Sequence, residues 1–322
     1  MHIDSMLDSL DGLSVGDALG QQFPVMRRSL DDLRAGELPT ERPWAWTDDT
    51  EMACSVVAEL LRNGAIDQDR LASAFARRFR PHRDYGFNTV GVLRRIGAGT
   101  HWRDAAGELF ENQGSRGNGA AMRVAPLGAC FAGDPQRIVT EAARSAEVTH
   151  THPEGIAGAV AVALAAGLAA HTRRAGVRPA PAEFVTAVLD RLADSETTRL
   201  IRRARSMLGA SAPEAAHELG NGSLVTAQNT VPFTIWVAAT ALDDYPAAIT
   251  TCIAADGDID TTGAITGGIV AAHTGTGAGR AGAVPRQWLT AREPLPRWFD
   301  PERRPPRPKG LARMRRWLPG GS

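Results

Sequence analysis

The chain has 322 residues, 36 basic and 36 acidic, so it can bury a substantial core and carries no net field that would draw it to nucleic acid or an anionic membrane. Cys54, Cys130 and Cys252 are odd in number, far apart and set in apolar helical stretches, which points to buried thiols in a reducing compartment rather than a disulfide scaffold or zinc ligands. The start, Met1-His2-Ile3-Asp4, has neither a basic region nor an apolar core, and no stretch offers about twenty uninterrupted apolar residues, so a cytoplasmic protein is expected.

Alanine-rich segments with helical spacing recur along the chain, while alternating β-branched and aromatic runs are scarce. The fold class is therefore all-α, one compact multi-helix domain over 1–293 followed by a Pro/Arg-rich tail over 294–322. The first helix is predicted over 5–19, with Leu7, Leu10, Leu13 and Ala18 inward and Gly20 ending it. An irregular stretch over 21–46 follows, broken by Pro24, Pro39 and Pro43, and it delivers the chain to Thr47-Asp48-Asp49. The next helix carries Met52, Val56 and Leu60 at four-residue intervals, widened by Ala53, Val57 and Leu61. Further helices are predicted over 68–79, 89–96, 120–131, 135–147, 154–171 and 183–193 and around 233–242, with a loop over 173–181 and no domain boundary there. The tail carries Arg303, Arg304, Arg307, Lys309, Arg313, Arg315 and Arg316, a group that is solvated or packs Trp298 and Trp317 on the domain.

Two acidic clusters stand at the start of apolar helical patterns, Thr47-Asp48-Asp49 and Asp258-Ile259-Asp260-Thr261. Each has two readings. Asp48 with Glu51, and Asp258 with Thr261, can cap a helix; or the carboxylates and threonine hydroxyls are hard oxygen donors for Mg²⁺ or Mn²⁺. Gly117-Asn118-Gly119-Ala120 is either a tight turn entering a helix or a set of backbone N–H groups for an anion. His150, His152 and Glu154 have no familiar zinc spacing, and Pro153 can open a helix capped by Thr151 or His152, so no zinc is expected. Tyr85 and Gly86 either shape a pocket by stacking and close backbone approach or form a surface turn, and Asp17 is expected to bond nearby backbone.

Taken in order, Gly16-Asp17-Ala18-Leu19-Gly20, Thr47-Asp48-Asp49-Thr50, Gly117-Asn118-Gly119-Ala120-Ala121-Met122-Arg123, Thr149-His150 and Gly257-Asp258-Ile259-Asp260-Thr261 resemble the motifs of the ADP-ribosylglycohydrolase family. The resemblance runs from about residue 5 to residue 275 and includes a weaker Asp84-Tyr85-Gly86 element. It implies an orthogonally packed all-α domain with two Mg²⁺ or Mn²⁺ ions at the base of an ADP-ribose cleft. By motif, Thr47, Asp48, Asp49, Asp258, Asp260 and Thr261 would be the metal ligands, with Asp48, Asp49 and Asp260 essential to turnover. Tyr85, Gly86, Gly117, Asn118, Gly119, Ala120, Met122 and His150 would bind the substrate, His150 lining the cleft rather than holding metal. Four aspartates would balance two divalent cations.

One departure stands out, since Pro24 occupies a position where many relatives carry a glutamate, and Glu37 or Glu41 are the acidic residues that could replace it in space. The activity implied is hydrolysis of the bond between ADP-ribose and an acceptor, first an ADP-ribosylated protein side chain such as arginine. The rival readings are a non-catalytic ADP-ribose receptor, a hydrolase of O-acetyl-ADP-ribose or of an ADP-ribosylated nucleobase, and a two-metal phosphohydrolase cleaving the diphosphate.

Overall fold

The computed structural model describes residues 1–23, 31, 37–277 and 280–302; Pro24 and the basic group from Arg303 onward lie outside the described residues. Helices and turns make up the described chain, in which no strand occurs and the β-type pairings are the isolated bridges Trp44 to Arg292 and Gly117 to Thr226. The helices are α1 (Ile3–Gly20), α2 (Asp48–Asn63), α3 (Gln68–Arg78), α4 (Phe87–Gly97), α5 (Trp102–Gly107), α6 (Ala125–Cys130), α7 (Pro135–Glu147) and α8 (Pro153–Ala175). They continue with α9 (Pro181–Leu189), α10 (Glu196–Ser206), α11 (Ala212–Leu219), α12 (Ala227–Thr240), α13 (Tyr245–Ala254), α14 (Ile259–Thr274) and α15 (Arg286–Ala291).

The central contact is between α1 and α14. Gly12 and Gly16 of α1 face Gly267 and Gly263 of α14 at a matching four-residue spacing, so the two backbones touch. A Cβ on Gly16 would lie 2.1 Å from the Gly263 carbonyl oxygen, and one on Gly263 would lie 2.6 Å from the Gly16 oxygen. Only glycine fits such an approach. Gly20 is the last residue of α1, as expected, though Gln21 is the C-cap, and its missing side chain makes room for the Asp260 backbone. Ser9 Oγ donates to the Gly268 oxygen at 2.7 Å and the Tyr245 hydroxyl to the Gly12 oxygen at 2.6 Å. Both bonds fix the seam.

Helix α8 packs on α6, α7, α12 and α14. With a mean hydropathy of 1.7 it is long and apolar enough by length and composition to cross a bilayer, although its uninterrupted apolar run falls short of twenty residues, as expected, and 72% of that window is buried inside the protein, as befits a core helix. Its end also differs from expectation: Gly176, at φ +68°, closes it in a left-handed C-cap after Ala175. The predicted helix over 120–131 breaks in two, a short 3₁₀ turn at Asn118–Ala120 and then α6, which restarts with Pro126 in its first turn. Cys54, Cys130 and Cys252 are buried free thiols, as expected. Residues 294–302 lie on the helical body: Trp46 Nε1 donates to the Pro294 oxygen at 3.2 Å, and the Arg78 guanidinium sits 3.7 Å above the Trp298 ring.

Candidate active site

Four hydrogen bonds to one carboxylate hold the start of α2 beside the end of α1. Asp17, fully buried, accepts from Thr47 N–H at 3.0 and 3.1 Å, Thr50 N–H at 3.1 Å and Thr50 Oγ at 2.5 Å. It is structural, as its sequence position suggested, and burial pushes its carboxyl up to about 6 despite those donors. The N-cap of α2 is Thr47 rather than Asp48: Thr47 Oγ accepts from Asp49 N–H at 3.3 Å, while Asp48 N–H donates to the Arg83 oxygen at 2.7 Å. The Asp48 and Asp49 side chains are thereby left for the cleft.

The start of α14 is built differently. Asp258 occupies the N-cap position yet makes no side-chain cap. Its Oδ2 accepts from Asn118 Nδ2 at 2.6 Å, and Asn118 Nδ2 also reaches Thr230 Oγ at 3.1 Å. Capping therefore does not account for the second cluster. The preceding Asp256 and Gly257 take left-handed φ values of +60° and +84°, which turns the chain sharply into the helix.

Because the α1–α14 seam and the Asp17 anchor bring both helix starts together, Asp48, Asp49, Asp258, Asp260 and Thr261 line one cleft of about 470 Å³. Among the described residues, the side chains lining it include no lysine or arginine. Burial first, then repulsion from neighbouring carboxylates, raises Asp48, Asp49 and Asp260 well above the usual range. Asp258 is raised less, by burial, since Asn118, Asp260 and Thr261 bond it. Asp49 Oδ2 is buried with no hydrogen-bond partner. An orphaned carboxylate oxygen within an uncompensated group of acids is a site short of positive charge, and an all-oxygen donor set suits a hard divalent cation. Among the described residues no three His, Cys, Asp or Glu groups already converge as a metal cage, so the donors stand as two groups, one per helix start.

A wall of the cleft is formed by Gly117, Asn118, Gly119, Met122 and His150. Glycines are required here because a Cβ on Gly119 would lie 3.0 Å from His150 Cε1. Burial, with the Arg123 charge adding to it, drives His150 down to about 3, so the ring is neutral. Its Nδ1 sits 2.8 Å from Thr149 Oγ. Arg123 is fully buried: it donates to the Gly119 and Ser145 oxygens at 3.2 and 2.7 Å and to Thr149 Oγ at 2.9 Å, and so ties the glycine turn to His150. Opposing this wall in the lining are Asp84, Gly86 and Phe87. Arg83 fixes that segment, with a bidentate pair to Glu293 at 2.7 and 2.8 Å, a bond to the Trp46 oxygen at 2.8 Å and its guanidinium 3.4 Å above the Trp46 ring.

Comparison with known proteins sets this cleft in context: the profile of the ADP-ribosylglycohydrolase family matches residues 2–309, nearly the whole chain. The chain belongs to the ADP-ribosylglycohydrolase family. It is 30% identical over 310 residues to the ADP-ribosylhydrolase ARH3 of Xenopus tropicalis, covering 83% of this chain and 86% of that protein. It is 29% identical over 164 residues to the ADP-ribosyl-[dinitrogen reductase] glycohydrolase of Rhodospirillum rubrum, covering 47% of this chain and 52% of that one. A solved ADP-ribosylglycohydrolase-related protein complex superimposes with a TM-score of 0.59 at 26% identity, over 91% of this chain and 93% of that one. The family match extends past residue 275, where the motifs stopped.

Within this member of the family, several expected site residues stand elsewhere. Tyr85 is buried and does not line the cleft, its hydroxyl donating to Glu51 Oε2 at 2.8 Å and its ring edge-on to Phe79 at 4.8 Å. Ala120 is buried and does not line the cleft. The N–H groups of Gly117 and Asn118 already donate to Ser115 Oγ at 3.1 Å and the Val225 oxygen at 3.2 Å, so those two of the turn's four donors are taken up within the protein. Thr47 is 1% exposed, and its hydroxyl serves the cap. His152 is the N-cap of α8, accepting from Glu154 N–H at 3.1 Å, and Glu154 accepts from the Glu196 and Thr197 N–H groups; both are structural, in keeping with the absence of a zinc spacing. Glu37 and Glu41 are exposed and do not line the cleft. Missed from sequence were Phe87 and Val225, both in the lining, and Arg83; Asp84, named only within the weaker Asp84-Tyr85-Gly86 element, was given no role, and its left-handed φ of +62° has no signature in residue type.

Proposed function

We propose that the protein hydrolyses the glycosidic bond between ADP-ribose and an acceptor at a divalent metal centre held by Asp48, Asp49, Asp258, Asp260 and Thr261, with Thr47 Oγ able to offer its second lone pair. The observation that carries this reading is the meeting of both helix starts in one cleft with Asp49 Oδ2 orphaned, in a chain whose named relatives are ADP-ribosylhydrolases. When bound, two Mg²⁺ or Mn²⁺ ions would neutralise four carboxylates, hold oxygens of the substrate and lower the pKa of an attacking water.

The remaining roles belong to the chain. Asp49, through the carboxylate oxygen it would not give to a cation, accepts the proton of the water as it attacks the anomeric carbon, where positive charge develops in an oxocarbenium-like transition state. Asp48 and Asp260 would hold the cations and so keep the attacking water placed against that carbon. Asn118 holds Asp258 in place, and neutral His150 lines the wall without competing for cations. An ADP-ribosylated protein side chain, arginine first, is the acceptor in this reading, by family analogy. Three buried thiols support action in the reducing cytoplasm.

The test incubates the protein with ADP-ribosyl-arginine, ADP-ribosyl-serine and O-acetyl-ADP-ribose in Mg²⁺, Mn²⁺ or chelator, with products resolved by mass spectrometry. Release of intact ADP-ribose is expected with metal and is lost with chelator; Asp48→Asn, Asp49→Asn and Asp260→Asn each lower kcat by about 10²-fold or more. Near-normal turnover by all three variants would overturn the mechanism. AMP among the products would mean diphosphate cleavage, and binding of ADP-ribose without release of any product would make the protein a receptor.

A further inference from the structure

The three most exposed large apolar side chains among the described residues are Phe87, Leu224 and Val225, and Phe87 and Val225 line this cleft. Phe87 is 91% exposed, Leu224 69% and Val225 57%. Phe87 and Val225 line the same cavity as the aspartates, from different segments: the first turn of α4 and the loop before α12. Water-facing phenylalanine at that level gains nothing from folding.

Val225 carries a second anomaly. Its φ is +53°, a left-handed conformation in which a β-branched side chain is strained. The loop holds it there: Val225 N–H donates to the Gly222 oxygen at 2.6 Å, the Val225 oxygen accepts from Asn118 N–H at 3.2 Å, and Leu224 N–H donates to Asn229 Oδ1 at 3.0 Å. Asn118 is also the residue that bonds Asp258. The lip and the carboxylate floor thus share one anchor.

We propose that Phe87 and Val225 are the lips of an acceptor subsite, and that they grip apolar side chains flanking the ADP-ribosylated residue of a polypeptide substrate. This rests on the glycohydrolase reading above and names its substrate class. A polypeptide is favoured over a nucleic acid because the described lining offers carboxylates and apolar groups and, among the described residues, no lysine or arginine to meet backbone phosphates. The apolar lips are continuous with the cleft, so a chain whose modified side chain enters it lays its neighbours against them.

The experiment compares two peptides carrying the same ADP-ribosylated side chain, one flanked by leucine and phenylalanine, the other by serine and glycine. KM is read where the peptide is cleaved and Kd by calorimetry where it is not, with free ADP-ribose as the control. The apolar-flanked peptide is expected to show an about tenfold lower KM or Kd, the share that one or two partly buried side chains supply. Phe87→Ser and Val225→Asn should each erase most of that preference while affinity for free ADP-ribose stays within about twofold; asparagine is chosen because it tolerates the left-handed backbone. Equal constants for the two peptides, a preference that survives both variants, or a parallel loss of ADP-ribose affinity would each overturn the proposal. Failure to cleave either peptide would count against the glycohydrolase reading alone, since the Kd comparison still decides on the lips.

Discussion

His150 shows how one side chain's burial sets a pH limit on the whole protein. Its ring is driven down to about 3 by burial and Arg123, whereas an unfolded histidine titrates near 6.5. The folded state therefore binds fewer protons than the unfolded one below pH 6.5, and stability, full above that value, is lost as pH falls toward 3. In chelated protein, urea unfolding should show the wild type losing about 2 kcal/mol more between pH 7 and pH 5 than His150→Gln does. Equal losses would mean that the ring finds a partner when protonated. The raised aspartates work in the opposite direction, which is why the difference between wild type and variant is the quantity to read. From sequence, His150 was legible through its motif. Phe87, Val225 and a role for Asp84 were not, because a left-handed φ at Asp84 and Val225 and the exposure of Phe87 are properties of the folded chain with no counterpart in residue spacing.

At the level of elements, the α1–α14 seam carries the site, because α1 supplies Asp17 and α14 supplies Asp258, Asp260 and Thr261. Gly16→Ala would set a methyl group 2.1 Å from the Gly263 oxygen, so the helices must part. A loss of about 3 kcal/mol or more is expected, together with weaker metal binding by calorimetry. The control is Gly209→Ala, where the added carbon meets nothing within 4 Å and stability should move little. Helices with an apolar period and a clear cap were legible: α3 follows Asp67, and α7 follows Asp134 with Pro135 at its first position. Helices α5, α10, α11, α13 and α15 were not foreseen. α10, for example, reads as a polar, arginine-rich segment whose buried face comes down to Thr197, Thr198, Ile201 and Ala204, and packing supplies what periodicity did not announce.

For the whole molecule, the order of the motifs along the chain foretold an all-α domain with one cleft, and the structure and family agree. What spacing could not convey is the closure of the chain on itself through Arg83 and Glu293, 210 positions apart. Glu293→Gln would leave the Arg83 charge half-paired, with Arg83 only 8% exposed, at a cost of about 1–3 kcal/mol. Because the Arg83 oxygen receives the Asp48 N–H, kcat should fall as well. Unfolding and kinetics measured on the same preparation test both, and an unchanged kcat with lowered stability would confine the pair to a structural role.

The bare contact of α1 with α14 also has a consequence for how such a site can change over time. No side chain stands between the two backbones at Gly16 and Gly263, so no rotamer can be swapped to widen or narrow the gap. The jaws of this caliper are ground to a fixed opening by main-chain atoms. Drift in sequence is therefore channelled outward to the rim, where Phe87, Leu224 and Val225 can be exchanged without disturbing the gauge, and a new acceptor is acquired by re-tipping the jaws rather than resetting them.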